Sequence, residues 1–531
     1  MSVSLVILNS NIITLDPEKP KAEALAVRNG RIAAVGSSSE IRALIDDDTE
    51  VVDAKGATII PGLVDCHVHM TEFGFFLKRP DMKNARSIRE MQEKLRQYAS
   101  KNKESGWIQG GRWDHEKFAE NRYPTRWDLD EAVSDRPVFL LRVCGHMGVA
   151  NSEALRLTRI TETSRVPGGK IELDLKNGQP NGLLKEKAMQ LIWRIIPRPD
   201  LKTLEEASLL ACKKAIQAGL TAVHWMVEST DEMQAIMNLE SEEKLPIRVY
   251  LGVPPKLEAA AHKLLSSSDS HFKVKIGFAK LFADGSLGSR TAALKVPYSD
   301  DPRTSGMLIH SPKELYQLIL EAHQAGERVA IHAIGDRAVE SVLNAYEQVL
   351  NRFPRRDHRH RIEHCSILNP QLIKRMKTLG LTASIQPHFV VSDFWLIDRM
   401  GKNRARWAFP FRSLVKEGLN VISGSDCPVE KIDPLLGIWA AAARRGIDEE
   451  LTAEEALKTY TLNAAYATME EDEKGTIKVG KLADLTILTD DLLKILPEEI
   501  NKVKVQMTIV DGKIVSRRTA VESVHAHLSV Q

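Results

Sequence analysis

The chain has 531 residues, 43% of them hydrophobic, which is long enough for a large core and too apolar for a mainly disordered protein. Its 73 Lys and Arg nearly balance 71 Asp and Glu, and without a long basic run it is not built to bind nucleic acid. No stretch of about 18 apolar residues occurs, so no membrane-spanning helix is expected.

The N-terminus, "MSVSLVILNSNIITLD", lacks the basic start of a secretion signal and reads as strand. Five scattered cysteines fit reduced thiols in a cytoplasmic protein better than a disulfide framework. The first sixty or so residues alternate short strands with turns, among them Asn29-Gly30, a tight-hairpin signal. The far end repeats this grammar at Asp511-Gly512. Segments of that size are thin for separate cores, so residues 1–58 and 472–531 are expected to build one small β-sandwich domain together.

Between the ends, residues 59–471 alternate apolar strands with amphipathic helices. The strands are "TIIPGLVDCHVH", "TAVHWMV", "IRVYLGV", "VKIGFAKLFADG", "RVAIHA", "RIEHC", "TASIQPH" and "NVISGSD". Repeated βα units imply a parallel sheet, and about eight of them imply an α/β fold of the (β/α)8 TIM barrel type. An open doubly wound sheet is disfavoured because no Gly-rich phosphate loop follows the first strand. About 150 residues separate the first two strands, too many for one helix or one irregular loop. Residues from about 72 to 200 therefore read as an insertion that shapes the active-site mouth, with a hairpin near Asn177-Gly178.

Metal-binding residue types fall at the strand ends. His67 and His69 close the first strand, two apart and so on one face. Lys280 lies toward the end of the fourth, with Asp284 just beyond; His332 ends the fifth, His364 the sixth and Asp426 the eighth. In a barrel these positions meet at the C-terminal rim, where such folds carry their chemistry. Taken singly, a strand-end His is more often a hydrogen-bonded structural residue, and Asp426 in "SGSDCP" could cap a turn. Together they form a set suited to zinc, manganese, iron or nickel.

Other positions point to the same rim. Asp284 and Arg290 in "ADGSLGSR" suit substrate contact or a polar turn. His388 in "IQPHF" follows the seventh strand, and Trp113 in "GGRWDHE" lines the mouth or packs. His224 reads as a core residue, Cys66, Cys365 and Cys427 as packing, and His358 and His360 in "RRDHRHR" as part of a solvated charge run.

"GLVDCHVH", "VKIGFAKLFADGSLGSR", "AIHAIGD", "RIEH" and "GSDCPV" resemble the signatures of the amidohydrolase superfamily, and within it the family 3 branch that includes N-substituted formamide deformylases. "GTIKVGKLADLTIL" matches the closing sheet segment, so the resemblance spans nearly the whole chain. It implies a divalent metal, zinc before others, as one or two ions. His67 and His69 would hold the more buried ion, His332 and His364 the second, and Asp426 would be a ligand that also handles a proton. Lys280 matches a position that is carbamylated in many such enzymes; an unmodified ammonium offers no acceptor to a cation, and without the modification one ion held by His67, His69 and Asp426 is favoured. His146 in "RVCGHMGVAN" resembles a recurrent substrate-site histidine of the branch.

The expectation is a metal-dependent hydrolase that activates water against the C–N bond of a small amide, N-formyl compound or cyclic amide. The oxyanion is held by the metal and by His332 or His388, and Asp426 carries a proton to the leaving nitrogen. Ester or lactone hydrolysis on the same scaffold stands as the alternative. A non-catalytic metal-binding protein is disfavoured, because every ligand position is filled. The partner is a small molecule rather than nucleic acid or a membrane, and a homodimer is compatible with the large insertion.

Overall fold

The computed structural model describes residues 2–103, 106–143, 145, 147–167, 169–266, 273–443 and 448–518. Eight parallel strands form one sheet in chain order: β1 (Leu63–Val68), β2 (Leu220–Met226), β3 (Arg248–Val253), β4 (Val274–Phe282), β5 (Val329–Ala333), β6 (Arg361–His364), β7 (Thr382–Ile385) and β8 (Asn420–Ser423). The ring closes just past β8. Val68 bridges Cys427 in parallel, the Asp426 N–H donates to His67 O at 2.7 Å, and the His69 N–H donates to Cys427 O at 2.8 Å. The protein is thus a (β/α)8 barrel with an additional β domain.

Strands covered on both faces need continuous apolar runs, and every residue of β1 and β2 is buried. The covering helices show the complementary pattern. Helix Asp336–Arg352 buries Ala338, Val339, Val342, Leu343, Ala345, Tyr346 and Val349, a stripe at helical spacing. Helix Pro312–Gln324 starts at Ser311, which exchanges hydrogen bonds with Glu314 in a capping box before Pro312 at the first helical position.

One expected strand divides in two. In "TIIPGLVDCHVH", Thr58–Pro61 belongs to the additional β domain and only Leu63–Val68 to the barrel. The break falls at Gly62, where a Cβ would lie 2.2 Å from Thr221 Oγ1; only glycine lets the chain pass so close to β2.

The additional domain has a six-stranded sheet in the order Lys513–Arg517, Val505–Val510, Leu485–Leu488, Thr58–Pro61, Asn11–Ile13, Lys21–Ala22. Strands from both ends of the chain meet where Leu485–Leu488 pairs antiparallel with Thr58–Pro61. A four-stranded sheet orders Arg31–Gly36, Ala24–Arg28, Leu5–Leu8 and Glu50–Asp53. Leu5, Ile7, Leu25 and Val27 of the smaller sheet share a core with Ile12, Ile59, Leu485 and Ile509 of the larger. The hairpins turn at Asn29-Gly30 and Asp511-Gly512, all four residues at φ between 52° and 73°, as type I′ turns require.

Residues Glu72–Thr203 form a separate compact unit. It carries a five-stranded sheet, Gly169–Leu173, Pro180–Glu186, Met147–Ala150, Val138–Arg142, Ile108–Trp113, and its core includes Trp113, Leu95, Val138 and Leu140.

Two expectations are corrected here. His358 and His360 are not solvated: they are 5% and 0% exposed. Trp113 is fully buried and donates its indole N–H to Leu140 O at 2.8 Å, so it packs within its own unit and presents nothing to a ligand. Among the described residues, no helix is long and apolar enough to cross a membrane. The described cysteines Cys66, Cys212, Cys365 and Cys427 are all buried and form no disulfide with one another.

Candidate active site

The site is built from the C-terminal ends of the barrel strands. On β1, His67 and His69 turn their Nε2 atoms toward Asp426 Oδ1, at 3.5 Å and 3.3 Å. One donor atom from each residue forms a set lying within 4.8 Å of one another. Asp426 adopts φ 57°, a conformation that aspartate tolerates better than most residues. Burial pushes the Asp426 carboxyl up, but the His67, His69 and His364 imidazoles outweigh it and hold the group below the usual carboxylate range. Asp426 is therefore ionised, and two imidazoles with one carboxylate make a donor set of the type that binds zinc.

Around this trio the other rings lie in contact. The His67 and His364 centroids are 5.0 Å apart, and those of His364 and His332 4.3 Å. His332 Nε2 donates to Gly285 O at 3.0 Å; since a carbonyl only accepts, the lone pair of the neutral ring sits on Nδ1. Lys280 is 3% exposed, with Nζ 3.8 Å from the centroid of the Phe282 ring. Burial brings its amine down to about 8, against the opposing pull of Glu363 and Asp426.

Four residues passed over in the sequence hold the rest in place. Glu363 Oε2 lies 2.5 Å from His67 Nδ1, with both side chains buried. The carboxylate fixes the Nδ1–H tautomer and leaves Nε2 as the donor, the usual support for a metal-binding imidazole. Behind Glu363, Arg361 Nε sits 2.5 Å from Oε1, and Arg361 also reaches His224 Nδ1 at 2.8 Å and Cys66 O at 3.0 Å. Gln386 Oε1 accepts from His364 Nδ1 at 2.6 Å. Asp65 takes the His67 N–H at 3.1 Å and the Ser425 N–H at 3.0 Å, tying β1 to the segment that carries Asp426. Burial lifts the Asp65 carboxyl to about 6.

Glu363 was hidden by strand alternation, which sends neighbours to opposite faces. Here His364 and Cys365 have φ of 73° and 48°, so alternation fails at the end of β6 and both Glu363 and His364 meet His67. Asp65 was legible: it lies two residues before His67 and shares its face.

The expected substrate contacts fare differently. Asp284 is 1% exposed and accepts three backbone N–H groups, from Ala293 at 2.8 Å, Ile334 at 3.0 Å and Gly335 at 2.9 Å. It knots the loops after β4 and β5 and has no free face for a substrate, so that assignment is corrected. Arg290 is paired with Asp300 through two bonds of 3.1 Å and 2.9 Å. His388 is half-buried beside Glu430. His146 lies outside the described residues.

Comparison with known proteins agrees with this geometry. A sequence model described as the Amidohydrolase family matches residues 50–516. YtcJ of Bacillus subtilis, a protein named as an amidohydrolase, is 34% identical over 526 residues, which cover 96% of this chain and 98% of YtcJ. The N-substituted formamide deformylase of Arthrobacter pascens is 30% identical over 547 residues, covering 97% and 98% of the two chains. A crystal structure of a metal-dependent hydrolase from Pyrococcus furiosus superposes with a TM-score of 0.79 at 32% identity, over 92% of this chain and all of that one. The chain belongs to the amidohydrolase family and is a metal-dependent hydrolase of carbon–nitrogen bonds in amide-type compounds.

Proposed function

We propose that the protein hydrolyses the C–N bond of a small N-acyl compound, with N-formyl amines as the leading class, using zinc held by His67, His69 and Asp426. The observation that carries this reading is the convergence of those three donors within 4.8 Å at the barrel rim. The near full-length similarity to a protein named as an N-substituted formamide deformylase supports the N-formyl class.

A divalent cation there supplies Lewis-acid polarisation of the carbonyl and activates water. The chain's own residues do the rest. Glu363 keeps His67 in its donor tautomer. Asp426, held ionised by the surrounding imidazoles, takes the proton of the attacking water. His332 and His364 border the place where the carbonyl oxygen gains charge. Carbamylation of Lys280 would add anionic oxygens and room for a second ion alongside His332 and His364. Intact native mass together with metal counting decides between one ion and two.

The test is Asp426→Asn. Metal content is expected to remain largely intact while turnover of N-formyl and N-acyl substrates falls about 10²–10⁴-fold, the usual range for loss of a positioned acid–base group. Near-normal turnover refutes the role. A matched panel of esters and lactones, ranked by kcat/KM, tests the alternative chemistry; a preference for them moves the protein out of the amide class.

A further inference from the structure

The rings at the barrel rim form a row. Phe282 ends β4 two residues after Lys280, so the two side chains share a face of the strand. Phe282 pairs in register with His332 of β5, and their ring centroids are 5.4 Å apart. His332 in turn lies 4.3 Å from His364 of β6. Beyond it, just past β7, Phe389 holds its ring within 6° of parallel to that of His364, at 6.3 Å. Two phenyl rings thus bracket two imidazoles along the side of the rim that runs from β4 to β7. The donors His67, His69 and Asp426 occupy the other side, at the end of β1 and just past β8.

A single exposed hydrophobic side chain is ordinary on a protein surface. Phe282 is set apart by where it stands. It is 43% exposed, whereas Lys280 on the same face is 3% exposed. Lys280 Nζ lies over one face of the ring at 3.8 Å from its centroid, and the rest of the ring is left to whatever enters the mouth. Phe389 at the other end of the row is half-buried.

We propose that Phe282 and Phe389 form an apolar half of the substrate site and select amides that carry a flat apolar group beside the scissile bond. The inference rests on the amide-hydrolase reading and adds to it a second element of substrate recognition. With the carbonyl at the donor side, an aryl group directed toward β4–β7 lies along the ring row. There it covers apolar surface that water otherwise wets and meets a phenyl ring edge-on or offset. A methyl group in its place covers little of that surface. An aryl group reaches the row from the acyl carbon or from the nitrogen, and the two routes are separate arms of the test.

The zinc-loaded full-length protein is assayed with two pairs of amides. N-formylbenzylamine and N-formylmethylamine vary the nitrogen side; N-methylphenylacetamide and N-methylacetamide vary the acyl side. In one of the pairs the aryl member is expected to show a kcat/KM about 10²-fold above its methyl partner. Phe282→Ala is expected to lower that ratio about tenfold, Phe389→Leu to lower it by less, and Phe282→Tyr, which keeps the ring, to preserve it. Binding is read separately by calorimetry with benzylacetone and butanone, ketones with no C–N bond to break. The aryl ketone is expected to bind the more tightly, and Phe282→Ala to remove most of the difference. An aryl-to-methyl ratio near one in both wild-type pairs overturns the proposal while the hydrolase reading stands. So does equal slowing of both members of a pair by Phe282→Ala, the outcome if the ring serves Lys280 alone. Hydrolysis of none of the four amides overturns the amide reading, and the ketone titration then decides the apolar half by itself: equal affinities overturn it.

Discussion

Among the described residues the chain has two His-x-His motifs, and they end in opposite chemistry. His67 and His69 sit at the C-terminal end of β1. His358 and His360 sit just before β6, at the opposite end of the barrel. At the first, Glu363 takes one nitrogen of His67 at 2.5 Å, and the Nε2 atoms of His67 and His69 face Asp426 at 3.5 Å and 3.3 Å. At the second, the imidazoles are consumed by their surroundings. His358 accepts the His360 N–H at 2.9 Å and donates to Leu379 O at 2.9 Å. His360 accepts the Val329 N–H at 3.0 Å and donates to His323 Nδ1 at 2.8 Å, and His323 donates its single ring N–H, on Nε2, to Phe353 O at 2.9 Å. Because each bond to a backbone group fixes which nitrogen carries hydrogen, the tautomers of all three rings are determined. The lesson is that a His-x-His pair is a ligand motif only where its neighbours leave ring nitrogens facing one another and an anion.

This contrast can be broken by mutation. His67→Ala is expected to abolish tight metal binding and turnover while the far-UV spectrum is retained; metal content and steady-state rates check it, and a metal-replete active variant would remove His67 from the site. His360→Ala should do the reverse. It strands the Val329 N–H and His323 Nδ1 and opens a void, a cost of about 3 kcal/mol, read as a lower denaturant midpoint, with metal per folded molecule unchanged. A loss of metal instead would show that the two ends are coupled.

Glu363→Gln sharpens the first half of the comparison. The amide cannot enforce the Nδ1–H tautomer as an anion does, so zinc affinity is expected to fall about 10–100-fold, measured by chelator competition independently of activity. An unchanged affinity would mean that packing alone orients His67.

The smallest expected effect concerns pH. Burial depresses the His358 and His360 imidazoles below their ordinary 6.5. The unfolded chain therefore binds protons more readily than the native state once the pH drops below about 6.5, and stability must fall with acid there. Each group therefore takes stability away as the pH falls below about 6.5, the ordinary value for the unfolded chain. His358→Gln should flatten that slope relative to wild type in denaturation of the zinc-loaded protein, and an unchanged slope would place the sensitivity elsewhere.

The barrel was readable because it is written in period and composition: eight apolar runs separated by amphipathic helices have few other ways to bury themselves. The rim was readable in part, because strand ends of a barrel converge and His67, His69, His332, His364 and Asp426 each stand at one. The structure had to supply Glu363, exposed to the site by the irregular backbone at His364 and Cys365, and Gln386 and Glu430, whose partners come from other strands. It also reassigned Asp284 and Trp113, which looked like contacts and are held by backbone groups.

By itself, the sequence determined which residues could meet a cation, since the two-residue spacing along a strand and the βα repeat are local properties of the chain. Tertiary structure decided which of them do. The number of partners around a ring nitrogen depends on segments far away in sequence, such as Glu363 for His67 or Val329 for His360, and no local pattern records how those segments spend their donors and acceptors.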